Sequence, residues 1–151
     1  MCFGYNDFTI SFWFNVSSSQ SYGRLFQTVN GDYYTGIGVY FNPSTPSLGI
    51  SLSSNGTGQD IGGGSLGNVT LNTWKQLEIN RKGRNIYVML AGNIVYTITT
   101  TSPLFFNLND WILGGQSVGA QRSITGYMQE FLIFDYCLHT NTFSPPTTTY
   151  S

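Results

Sequence analysis

Charge is what this sequence has least of. Asp, Glu, Lys and Arg make up 9% of its 151 residues and the formal net charge is −1, against about a quarter charged in an average domain. That scarcity argues against disorder driven by self-repulsion and against a broad phosphate-binding face, so nucleic acid is not an expected partner. Long apolar runs are missing as well. None approaches the ~20 residues of a membrane helix, and no basic head followed by an apolar stretch marks a secretory leader, so membrane insertion is not expected. Cysteine occurs twice and histidine once, too few for a disulfide framework. Helical periodicity is close to absent throughout.

What remains is a charge-poor chain that is 40% hydrophobic and 16% aromatic, enough to build one core but short for two domains. Period-two patterns recur from end to end. Phe8, Ile10, Phe12, Phe14 and Val16 alternate with Thr9, Ser11, Trp13 and Asn15, which places five apolar side chains on one face of a strand. Strands are also expected over 25–29, 37–41, 48–52, 74–81, 85–90, 93–99, 111–115 and 124–136. Tight turns are expected at Lys82-Gly83 and Ala91-Gly92, and loops over 30–36, 42–46 and 53–67. Many short strands without a helix mean an all-β fold of two antiparallel sheets packed face to face, a β-sandwich. The domain is expected over 1–143, with a Pro/Thr-rich tail over 144–151 that serves as an edge strand or linker. Met1 leads almost directly into the first strand, so the sequence reads as a domain of a longer protein.

The stretches FTISFWFNVSSS and GRLFQ resemble the opening strands of laminin-G-like domains, a branch of the concanavalin A-like lectin and glucanase superfamily of jelly rolls. The segment WKQLEINRKGRNIYVMLAGNIV is similar to that family's central meander, and WILGG followed by GYMQEFLIFDYCLH to its last two strands. The resemblance runs from about Phe8 to His139. It departs from the family at Ala91, where an Asp usually precedes the hairpin Gly, and at the first family strand, expected before Phe8, which is missing or supplied by residues upstream.

Because the superfamily includes retaining glucanases, the resemblance makes a glycosidase the first chemistry to test. Such enzymes hold two carboxyl groups about 5–5.5 Å apart, in this superfamily on a Glu-x-Asp-x-x-Glu strand. Here the only glutamates, Glu78 and Glu130, belong to separate strands, and that motif is absent. Glu78 stands between Leu77 and Ile79 and is expected on a solvated strand face. His139 follows the last strand and reads as a surface histidine. No serine occupies a nucleophile elbow, and GGGSLG reads as turns, not as a phosphate loop. The chain is expected not to be an enzyme.

The resemblance implies one cofactor, a Ca²⁺ held at a loop rim by an Asp, a second Asp or Asn, and backbone carbonyls. Its candidate ligands are Asp32 and Asp60, both also ordinary turn-formers, while the loop GGQSVGAQRS supplies no Asp or Asn. Cys2 and Cys137 flank the domain and leave both a disulfide and two free thiols open. Arg81, Lys82 and Arg84 coincide with a hairpin turn and are expected in solvent. Asn15, Asn55 and Asn68 each begin an Asn-x-Ser/Thr triplet, which in this composition says little.

Trp13, Trp74 and Trp111 fall within strand patterns and are expected in the core or between the sheets. Tyr33 and Tyr34 sit in a Gly-flanked loop and Tyr22 in another. Sugar recognition pairs an aromatic face with Asn, Asp or Arg bonding the hydroxyls. Asp32, Tyr33, Tyr34, Asn55, Asp60 and Arg122 meet that need if their loops share one rim, as the resemblance implies. The resulting expectation is a recognition module for glycans or a glycoprotein surface, belonging to an adhesive protein that is extracellular or on a virion surface. The alternative is a structural domain that assembles with copies of itself or with neighbouring structural proteins of a virion, fibre or adhesin.

Overall fold

A computed structural model describes residues 4–19, 21–28, 36–105, 111–115 and 122–147. Among these described residues ten strands form: β1 Phe8–Ser19, β2 Gly23–Gln27, β3 Ile37–Asn42, β4 Ser47–Leu52, β5 Gly62–Asn68, β6 Lys75–Lys82, β7 Asn85–Leu90, β8 Asn93–Thr99, β9 Ile112–Leu113 and β10 Ile124–Phe134. They make two five-stranded antiparallel sheets, β10-β1-β6-β7-β8 and β5-β4-β3-β2-β9. This is the all-β sandwich that the alternation implies.

The core follows from period two. Phe8, Ile10, Phe12, Phe14 and Val16 turn inward with Leu77, Ile79, Ile86 and Val88, against Ile37, Val39, Phe41, Leu48, Ile50 and Leu52 of the facing sheet. The centre is aromatic: Phe12 lies 5.5 Å from Phe131 and 6.3 Å from Phe26, and Trp111 lies 5.5 Å from Phe26. Trp111 is thus between the sheets, as expected.

Three local expectations are corrected. Strand β5 occupies residues expected to be loop, because GGGSLGN carries only one inward apolar residue, Leu66, to signal a strand. Two of its glycines are held by their surroundings: a side chain at Gly63 would meet the Ile50 carbonyl, and Gly62 has φ 154° with Ile98 close by. The β6–β7 turn is Gly83-Arg84, one residue later than expected, with Gly83 at φ 57°. Arg81 is not solvated. Its guanidinium is buried and donates to the carbonyls of Gly4 (2.8 Å), Gly83 (2.9 Å) and Ser102 (3.1 Å), satisfying a charged group that burial would otherwise penalise.

One irregularity positions the site. On β1, Ser11 faces Leu132 and Trp13 faces Gln129, so β10 spends one residue more than β1 over this step. The bulge falls at Glu130, whose φ is 51°. An extra residue reverses the facing of everything beyond it. Tyr127 and Gln129 therefore point outward with Asn15 and Trp13, while Phe131 points inward to Phe12.

Candidate functional site

The residues expected at a common rim are not all brought together. Asp32, Tyr33 and Tyr34 lie outside the described residues. Asn55 and Asp60 belong to the loop 53–61 between β4 and β5, where they hold the loop itself. One Asp60 carboxylate oxygen accepts from the Ser53 hydroxyl (2.8 Å) and the Ser54 amide (2.9 Å), and the other accepts from the Ser54 hydroxyl. The Ser54 hydroxyl bond is the main reason the carboxyl is held down at about 2. Asn55 Oδ1 accepts from the Thr57 amide at 2.8 Å. Arg122 precedes β10, whose Ile124 amide bonds Gly114, itself bonded to Leu25 and so on the Gly23 side of the second sheet. The loop 53–61 instead follows Leu52, which aligns with Ile37 and hence with the Gln27 end. The backbones of Asn55 and Asp60 and that of Arg122 thus leave opposite ends of the sheet. Among the described residues no three His, Cys, Asp or Glu side chains cluster as metal ligands, and Asp60 is already engaged by serines.

The outer face of the β10-β1-β6-β7-β8 sheet carries more chemistry. Residues 136–143 cross it diagonally as a strap, from Thr9 and Asn80 at the β6 C-terminal end to the β7–β8 turn, which abuts Gln76. The Leu138 amide donates to Thr9 Oγ1 (2.8 Å), the Thr9 hydroxyl lies 2.5 Å from Asn80 Oδ1, and Asn80 Nδ2 donates to Glu78 Oε1 (2.6 Å). His139 Nδ1 reaches the same Glu78 oxygen at 2.7 Å, and its ring stacks on Phe143 at 3.8 Å. The Phe143 amide then bonds the Gly92 carbonyl (3.0 Å) in the β7–β8 turn. Glu78 does point away from the core, but it is 2% exposed, not solvated. His139 is likewise a half-buried partner of Glu78, not a free surface side chain.

On the β10–β1 side of the β6 N-terminal end, aromatic rings are left uncovered. Trp13 stands between Gln76 of β6 and Gln129 of β10, and one step along, Asn15 faces Tyr127. Trp74 immediately precedes β6, and its indole lies 6.5 Å from the Tyr127 ring at 37°. Tyr127 is 71% exposed and Trp74 38%, while Trp13 is half-buried. Gln76 is 2% exposed; its Nε2 donates to Ser11 Oγ (3.0 Å), and its Oε1 has no hydrogen-bond partner. Three aromatic rings interleaved with Asn15, Gln76 and Gln129 can offer apolar faces and amide donors and acceptors to a ligand that presents both C–H and O–H groups. Trp13 and Trp74 are therefore not core residues. The alternation of β1 already put Trp13 opposite the five inward side chains; nothing local in the sequence joined Trp74 to Tyr127.

Residues 2–142 match the Laminin G 3 family, described as the concanavalin A-like lectin/glucanases superfamily. No curated protein matches. A proposed carbohydrate-binding protein of Bacteroides ovatus is similar at TM-score 0.71 and 12% identity, over 92% of this chain and 40% of that one. The CBM40 of the Ruminococcus gnavus IT-sialidase, solved with alpha2,3 sialyllactose, is similar at TM-score 0.67 and 12% identity, over 90% of this chain and 79% of that one. The binding domain of Paraclostridial Mosquitocidal Protein 1 is similar at TM-score 0.60 and 17% identity, over 91% and 36%. At these identities the likeness is one of fold.

Proposed function

From the premise that this chain belongs to the concanavalin A-like lectin/glucanases superfamily, we propose that it is a non-catalytic module that recognises glycans. The observation that carries the reading is the solvent-facing platform of Trp13, Trp74 and Tyr127 with its flanking amides. A pyranose stacks its C–H face on such rings while amides bond its hydroxyls. That the similar structures include a carbohydrate-binding module supports it. The non-catalytic part rests on the acids. Glu78 is bound by Asn80 and His139 beneath the strap, and the other glutamate, Glu130, lies on β10, separated from β6 by β1, whereas glycoside hydrolysis requires a close pair. Calcium is not required in this reading, since the Asp60 carboxylate serves its own loop.

The test is titration of the folded chain with a panel of oligosaccharides, followed by NMR of the tryptophan indole N–H signals, with calcium and with chelator. Saturable shifts in at least one sugar, lost in Trp74→Ala, are expected with and without calcium. Binding that survives Trp74→Ala and Tyr127→Ala together would place the site elsewhere, and release of reducing sugar would overturn the non-catalytic reading.

A further inference from the structure

Building on the glycan reading, we infer that the platform selects uncharged sugars and disfavours acidic ones. The first support is where the charges are. Lys75, between Trp74 and Gln76 in sequence, aligns with the inward Phe14 and so alternates away from the outer face. Glu78 and His139 are paired under the strap. Lys82 binds Asp7 at 2.8 Å near the β6–β7 turn, Arg81 is spent on three carbonyls, and Arg24 belongs to the other sheet beside Tyr40. Among the described residues the platform is made of Trp13, Asn15, Trp74, Gln76, Tyr127 and Gln129, none of them charged. A sugar carboxylate set against indole and phenol rings gives up hydration and finds no cation in return, which is unfavourable.

The second observation concerns hydrogen-bond polarity. Gln76 Oε1 is a buried acceptor without a donor, beside Trp13 on the platform's inner row. Buried polar atoms are seldom left unpaired, and an orphan acceptor calls for a donor. A hydroxyl of any sugar can supply that donor, so the orphan acceptor favours a hydroxyl-bearing ligand. The preference for neutral glycans rests on the platform's lack of a cation, in contrast to the sialylated ligand of the similar Ruminococcus gnavus module.

The experiment compares lactose with sialyllactose, extended to cellobiose and maltose as further neutral probes, at about 0.05 M and about 0.5 M salt. A neutral sugar should bind with affinity that changes less than about twofold with salt, and sialyllactose should bind at least ~10-fold more weakly than lactose. Gln76→Leu, which removes the orphan acceptor, should stay folded by circular dichroism and weaken the neutral sugar several-fold. Sialyllactose binding as tightly as lactose or more so, with affinity falling as salt rises, would overturn the inference while leaving glycan recognition standing. No response to any sugar from a folded sample would overturn glycan recognition itself.

Discussion

Two regions of one sheet face are finished differently. Towards the β6 C-terminal end the outer side chains Thr9, Glu78 and Asn80 are polar and sealed beneath residues 136–143; on the β10–β1 side of the β6 N-terminal end Trp13, Trp74 and Tyr127 are aromatic and left uncovered. The arrangement inverts what hydrophobicity alone would choose. Polar groups are affordable under the strap because each bonds another or the strap's own backbone. Exposing two large rings brings no folding benefit, and contiguous exposed apolar groups of this kind mark an interaction site. The strap stabilises the polar groups it covers, and the uncovered rings are the candidate contact surface.

The sharpest control lies beneath both regions. Phe12→Ala should cost about 3–5 kcal/mol in chemical denaturation, from lost transfer energy and the cavity among Phe14, Phe26 and Phe131. Ser11→Ala, one residue along and facing outward, should cost about 1 kcal/mol through the lost bond from Gln76. Comparable losses from the two would mean that β1 faces the wrong way.

Next in size comes the covered region. Glu78→Leu leaves Asn80 Nδ2 and His139 without their acceptor and should lower stability by about 2–3 kcal/mol. It should also increase proteolysis within 136–143. The same variant should leave sugar affinity within about twofold, a difference worth under ~0.5 kcal/mol; a larger loss would join the two regions into one site.

At the uncovered rings the pattern should reverse. Trp74→Ala and Tyr127→Ala should each change stability by less than about 1 kcal/mol yet weaken glycan binding ~10-fold or more by isothermal titration. A destabilisation as large as that of Glu78→Leu would make these rings structural.

The smallest effects concern the loops. Ala91 and Gly92 both have positive φ, 49° and 79°, as a two-residue hairpin turn demands. Ala91→Gly should therefore raise the denaturation midpoint by about 0.5–1 kcal/mol equivalent. Gly92 tolerates no such exchange, because a side chain there would strike the Phe143 carbonyl of the strap. In the loop 53–61, Asp60 is depressed from 3.8 to about 2, chiefly by the Ser54 hydroxyl. Its bonds should then be fully present above the ordinary aspartate value and lost as pH falls through about 2. NMR titration of the Ser54 amide would show this, and a midpoint near 3.8 would contradict the bonding.

How much was legible in the sequence varies by element. The inward face of β1 could be read outright, and the same alternation placed Trp13 outside, although a tryptophan within a strand suggests core. Strand β5 was invisible because glycine carries no facing information; it forms because β4 offers a ladder and Tyr96 and Ile98 fill the space its side chains leave. The loop cluster of Asn55, Asp60 and Arg122 failed as a single site because strand registers, not loop composition, fix which end of a sheet each loop leaves. The buried states of Arg81 and Glu78 were hidden because their partners, Gly4, Ser102 and His139, are distant in sequence.

Local alternation is enough to specify the two-sheet sandwich and its inner faces, since the facing of side chains is a property of each strand alone. Tertiary structure alone decided the parity of β10. Strict alternation would group Tyr127, Gln129, Phe131 and Ile133 on one face. The bulge at Glu130 divides them, two outward and two inward. It exists because β10 must satisfy Phe131 against Phe12 and Phe26 and still pair along β1, a compromise between packing and hydrogen bonding that only the assembled sheets impose.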